Sequence, residues 1–228
     1  MKLTVRQRDT KATREALLDA AADLIAERGF EGTTVDAIAK RARVNKAMIS
    51  YHFGGKRGLY GALLAGILTG MATRLEAVRA WDAPPEQRMT AFIAAFREMV
   101  RVQPAAPQIM LREAISGGRH LDRKILPNFL TIFTVLQGIL EQGTRDGRFR
   151  PVNPVLTQVG LVGSLMFFFA TEAFRLRVVQ ELGIESGPME AEDYIRHWRE
   201  MMLGGLAVRP VGGGTLPSDT GPRQGDER

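Results

Sequence analysis

The stretch 33–64, TTVDAIAKRARVNKAMISYHFGGKRGLYGALL, constrains this chain more than any other. It holds two short helical patterns separated by a bend of only a few residues. Val35, Ile38, Ala39 and Ala42 recur at helical spacing and predict the buried side of the first. Thr33 or Thr34 can cap that helix, and Asp36, three residues after Thr33, resembles the acidic half of a capping box. Asn45 reads as the N-cap of the second helix, because its side-chain oxygen can accept from a backbone N–H that has no helical partner. Ile49 and Phe53, four residues apart, anchor that helix to a core. Lys46, Ala47, Met48, Ser50 and His52 are left facing outward or sideways.

Such a pair, with the second helix carrying the polar and cationic residues, has the layout of a helix-turn-helix. Charge points the same way. The chain has 31 Lys/Arg and 25 Asp/Glu, a net charge of +6. The first 60 residues hold twelve of those cations against seven acids, so most of the excess lies around the motif. A basic N-terminal module on a near-neutral remainder suits a polyanionic partner.

The segment 42–59, ARVNKAMISYHFGGKRGL, resembles the signature of the TetR (tetracycline-repressor-like) family of transcriptional regulators. Ala42, Val44, Ile49, His52, Phe53, Lys56 and Leu59 match at the family's spacing. Arg43 stands where a turn glycine is usual, Asn45 for a serine, Ala47 for a frequent glycine and Ser50 for a frequent tyrosine. Arg43 must then take a positive φ at some cost, or the turn must shift. The resemblance implies that Lys46, Ala47 and Met48 face base edges in the major groove. It also implies that Thr34, Tyr51, His52 and Lys56 approach phosphates, with Asn45 and Ser50 completing the DNA-facing set. It further implies a homodimer on an inverted-repeat operator of double-stranded DNA, and a small-molecule effector that shifts the two heads, most simply in a repressor.

The rest of the chain reads as all-α, about nine helices with no convincing strand. Residues 1–10 are expected to be a loose basic arm. An amphipathic helix follows from about 10 to 28, with Leu17, Ala20, Ala21, Leu24 and Ile25 on one face. Gly54-Gly55 opens a longer helix with a stripe at Leu59, Leu63, Ile67, Met71, Leu75 and Val78; the four glycines within it are read as sites of close packing. Further helices are expected at about 85–102, 108–116, 124–146, 155–170 and 189–206. The expected division is 1–54 for the DNA-binding head, 55–208 for the effector-binding and dimerisation body, and 209–228 for a disordered tail rich in Gly and Pro. The dimer interface is expected from helices at about 155–181 and 189–206. Phe167, Phe168 and Phe169 cannot all point inward from one helix, so something must cover the remainder.

For the effector, Phe96, Met99, Met110, Phe129, Phe133, Met166 and Phe167 are candidate apolar lining, with Glu113, Gln137 and Glu172 as polar contacts. Chemistry of other kinds finds little support. The chain has no cysteine and three scattered histidines, so no metal site and no cofactor are expected. Gly55-Lys56 lacks the first glycine and the Ser/Thr of a phosphate loop, and an enzyme is not expected. The apolar run 155–170 is shorter than a membrane span, and the polar N-terminus has no secretion core, so a cytoplasmic protein is expected. Two alternatives stay open: a DNA-binding regulator controlled by a protein partner or by no effector, and, more remotely, a helical enzyme or scaffold.

Overall fold

A computed structural model describes residues 5–183 and 190–208, with side chains from residue 10 onward. Ten α-helices run through these residues: α1 (Val5–Arg28), α2 (Val35–Ala42), α3 (Ala47–Phe53), α4 (Lys56–Ala80), α5 (Pro85–Val102), α6 (Ala106–Ile115), α7 (Leu126–Arg145), α8 (Pro154–Ala170), α9 (Glu172–Leu182) and α10 (Ala191–Leu206). A single 3-10 turn, Arg123–Ile125, precedes α7. The only β pairing among the described residues is an isolated bridge between Phe149 and Ala207. The fold is therefore all-α.

The apolar stripe of α1 is buried as its spacing predicts, with Leu17, Ala20, Ala21, Leu24 and Ile25 all shielded from solvent. The helix begins at Val5 rather than near Thr10, so the expected arm is helical from residue 5. Residues 1–4 and the expected tail at 209–228 lie outside the described residues.

Helix α4 is the central helix and packs against α1, α3, α5 and α7. Its length and composition alone would let it cross a bilayer. Here its stripe from Leu59 to Val78 is buried in the bundle. Of its glycines only Gly58 is dictated by close packing. A Cβ there would sit 1.8 Å from the Phe53 carbonyl oxygen, whereas nothing lies within 4 Å of one at Gly61 or Gly66.

The tenth helix arises because the segment 155–181 is broken. Helices α8 and α9 meet at an angle of 65° around Thr171. The Thr171 hydroxyl donates to the Phe167 carbonyl at 2.7 Å, and the Arg175 guanidinium donates to the Phe168 carbonyl. Two carbonyls of the last turn of α8 thus find side-chain donors, which lets the helix end. The three phenylalanines separate as the sequence requires. Phe168 is buried, stacked on Tyr194 at 3.7 Å between ring centroids; Phe169 is half-buried; Phe167 is 58% exposed. One continuous core joins Leu17 of α1 to Leu206 of α10.

Candidate DNA-reading face and ligand cavity

The head is built from turn chemistry. Thr34 has extended backbone geometry, and its side chain accepts from the Ala37 N–H at 3.1 Å, so it caps α2. Thr33 is buried and does something else. Its hydroxyl reaches the carbonyls of Gly29 (2.8 Å) and Leu24 (3.1 Å), tying the end of α1 to the start of α2. No capping box forms, because the Asp36 carboxylate faces Lys46, with Nζ 3.1 Å from Oδ1. At the bend, Arg43 takes φ 56° and ψ 39°, and its N–H bonds back to the Ala39 and Lys40 carbonyls. The chain accepts a left-handed arginine rather than moving the turn, at a cost that one left-handed residue makes modest.

Asn45 Oδ1 then accepts from the Ala47 N–H at 2.8 Å, and α3 follows. Ile49 is fully buried and Phe53 half-buried, with the Arg14 guanidinium 5.3 Å from the Phe53 ring centroid. Asn45, Lys46, Ala47, Ser50 and Tyr51 are exposed, Tyr51 at 74%. Met48 is half-buried and packs against the core, so only part of it is free to touch a base. His52 is half-buried, its ring edge-on to Tyr51 with centroids 5.0 Å apart. Lys56, in the first turn of α4, holds Nζ 4.3 Å above the Phe30 ring.

The Lys46–Asp36 pair is exposed on both sides and is worth at most about 1 kcal/mol. It holds Lys46 back from any other anion. Asp36→Asn should therefore tighten binding to duplex DNA several-fold at low salt, in a fluorescence-anisotropy titration. Unchanged or weaker binding would show that Lys46 does not meet the duplex.

Deeper in the bundle, α4, α5, α6, α7 and α8 line a partly open cavity of about 230 Å³. Met71, Phe96, Met99, Met110, Phe129 and Met166 contribute to its apolar wall. Glu113 is the one ionisable side chain in that wall and is 2% exposed. Its carboxylate accepts from the Tyr60 hydroxyl (3.1 Å) and from the His120 backbone N–H (2.7 Å), and it lies 3.0 Å from His120 Nδ1. Burial and then the nearby carboxylate push the Tyr60 phenol well above its ordinary range, which keeps it a donor. Phe30 stacks on Tyr60 with centroids 4.9 Å apart and meets His120 at a tilt, centroids 4.5 Å apart. A continuous set of contacts thus runs from the cavity wall through Glu113 and Tyr60 to Phe30 in the head, with Lys56 of the first turn of α4 over the Phe30 ring.

Residues 17–63 match the family description "Bacterial regulatory proteins, tetR family", and residues 85–203, just over half of the chain, match "Tetracyclin repressor-like, C-terminal domain". The chain belongs to the TetR family. It is similar to the HTH-type transcriptional regulator RutR of Escherichia coli K12, at 28% identity over 65% of this chain and 70% of the relative. It is also similar to the HTH-type transcriptional repressor NicS of Pseudomonas putida, at 25% identity over 90% of this chain and 97% of the relative. Among solved structures, the ketosteroid transcriptional regulator KstR2 of Mycobacterium tuberculosis shares the fold, with a TM-score of 0.69, 23% identity and coverage of 91% and 98% of the two chains. Like other TetR-family members, the protein is a DNA-binding transcriptional regulator and not an enzyme.

For a TetR-family chain read from sequence, the expected effector residues divide cleanly. Phe96, Met99, Met110, Phe129 and Met166 come together around the cavity; Glu113 borders it but turns its carboxylate to Tyr60 and His120 and presents no polar surface to the space. Phe133, Gln137, Phe167 and Glu172 do not line it. Gln137 instead donates to Glu141 at 2.7 Å on the surface of α7, and Phe167 and Glu172 face outward near the α8–α9 bend. The sequence does not mark Phe30, Tyr60 and His120, since nothing local signals a hydrogen bond between residues 53 apart.

Proposed function

We propose that this TetR-family regulator is a homodimeric repressor that binds an inverted-repeat operator and leaves it when a compact, apolar molecule enters the cavity. The observation that carries the reading is the linkage of two features within one core. An exposed, N-capped recognition helix lies at one end, and an apolar cavity lies at the other end of the Glu113–Tyr60–Phe30–Lys56 contacts. The cavity's 230 Å³ is below the roughly 300–1,000 Å³ of sites for drug-sized ligands, which favours a small effector.

Lys46, Ala47 and Met48 are assigned to base edges, and Thr34, Ser50, Tyr51, His52 and Lys56 to phosphates, with Asn45 shaping the helix start. Thr34 Oγ1 already accepts from Ala37, so its own O–H remains free to donate. The dimer is assigned to α8, α9 and α10. Val155, Leu156, Val159, Phe167, Phe174 and Leu176 are all more than half exposed there, an apolar surface of the kind that a second copy covers. On this reading the head ends at Gly54-Gly55, where both glycines take positive φ, and the body begins with α4. The protein works in the cytoplasm, where its operator is. NicS, a relative described as a repressor, supports the sign of regulation.

Selection of bound fragments from random duplex DNA tests the reading. Wild type should enrich an inverted repeat. Lys46→Ala should enrich an altered one, by about 1–3 kcal/mol at the contacted base pair. Lys56→Ala should bind all sites more weakly and lower the salt dependence. If both variants select and bind as wild type does, the assigned reading face is wrong. Repeating the selection with small apolar compounds should find one that empties the selected sites.

A further inference from the structure

A second concave feature lies where the head meets the body. An open groove of about 660 Å³ runs from Phe53 and Gly54, at the end of α3, along the first turns of α4 to the segment 119–125. Its floor is small: a Cβ added at Gly54 or Gly61 would meet nothing within 4 Å. Its rim carries Arg57, Arg119 and Lys124, all exposed, against a single carboxylate, Asp122. Among the described residues no acid lies within ion-pair distance of any of these three cations.

The backbone that carries Arg119 and Lys124 is fixed. Gly117 and Gly118 take φ of 80° and 71°, and the Gly118 N–H bonds to the Glu113 carbonyl at 2.9 Å. The His120 N–H is fixed on the Glu113 carboxylate, and Asp122 Oδ1 accepts from the Lys124 N–H at 3.0 Å. The one acid of the groove is thus used in shaping the turn that presents Arg119 and Lys124, while Arg57 comes from the first turn of α4. Two guanidinium forks and an ammonium on the rim of one shallow groove suit a doubly charged tetrahedral oxyanion better than a carboxylate.

We propose that this groove is a phosphate-binding site, separate from the apolar cavity and beside the C-terminal end of the recognition helix. The phosphate has two available sources, the backbone of DNA flanking the operator half-site or a free phosphorylated small molecule. The first rests on the DNA-binding reading above; the second does not.

The test uses the full chain, wild type and the double variant Arg119→Gln/Lys124→Gln. A control removes the same charge elsewhere, Arg101→Gln/Arg145→Gln, at exposed positions that do not line the groove. One arm measures duplex binding against salt. For a DNA source, the log–log slope should fall by about 0.9 per lost contact in the groove variant and stay unchanged in the control. The other arm titrates DNA-free protein with inorganic pyrophosphate by calorimetry. For a free-phosphate source, wild type should bind and the groove variant should bind at least tenfold more weakly. The proposal is overturned if the groove variant matches wild type in both arms, or if the control loses as much, which would mean that net charge alone is acting. Should wild type bind no duplex at all, the DNA-binding reading fails and the calorimetric arm still decides the groove.

Discussion

Gly58→Val is expected to abolish DNA binding while the body stays folded. The α3–α4 junction brings the Phe53 carbonyl so close to Gly58 that a Cβ would stand 1.8 Å from its oxygen. The obstruction is backbone and cannot turn aside as a side chain would. Overpacking of ordinary side chains costs about 1–3 kcal/mol, and a backbone clash of this kind belongs at or above the top of that range. The least costly relief is for α3 to come away from α4, since α3 has only seven residues and one fully buried side chain, Ile49. The head would lose its reading helix. Both tryptophans, Trp81 and Trp198, lie in the body, so their emission should remain native while duplex binding falls by two orders of magnitude or more. Binding within a few-fold of wild type would show that the α3–α4 junction has another way to fit.

Glu113→Leu should have the second largest effect, and on two quantities at once. It leaves the Tyr60 hydroxyl and the His120 backbone N–H without an acceptor in a buried site. Each stranded donor costs roughly 1–3 kcal/mol, and in a chain of this size each kcal/mol lowers Tm by about 2–4 °C. Adding Tyr60→Phe removes one of the stranded groups, so the double variant should be more stable than Glu113→Leu alone. A double-mutant cycle should give a coupling of about 0.5–3 kcal/mol. The same substitution cuts the contact between cavity wall and head, so any compound that releases wild type from DNA should act on Glu113→Leu only at much higher concentration. Additive stabilities, or an undiminished response, would remove Glu113 from the route between the two sites.

What the sequence discloses and what it withholds follow from the range of the interactions concerned. Helical faces are local, and those of α1 and α4 are buried residue for residue as their spacing predicts. Caps are local too, and Thr34 and Asn45 both act as their chemistry suggests. The choice between Thr33 and Thr34 was not local, because the carbonyls that Thr33 holds belong to the end of α1. Asp36 illustrates the same limit: its partner is a lysine ten residues on rather than the backbone of its own helix. In α7, periodicity marks Phe129 and Phe133 alike as apolar, yet only Phe129 reaches the cavity. Which side of that helix faces α4 is decided by packing. The break at Thr171 needs Arg175 to fold back on the Phe168 carbonyl, and a run of apolar residues gives no sign of it.

On the proposed dimeric reading, the unbroken core from Leu17 to Leu206 constrains the spacing of the operator. Heads tethered by slack linkers can stretch to meet half-sites at different separations. Here the recognition helix packs on α4 of its own body, so in the proposed dimer the distance between reading helices would be set by whole-helix tilts. A spacer lengthened by one base pair moves the second half-site both outward and around the duplex axis, and no tether exists to follow it.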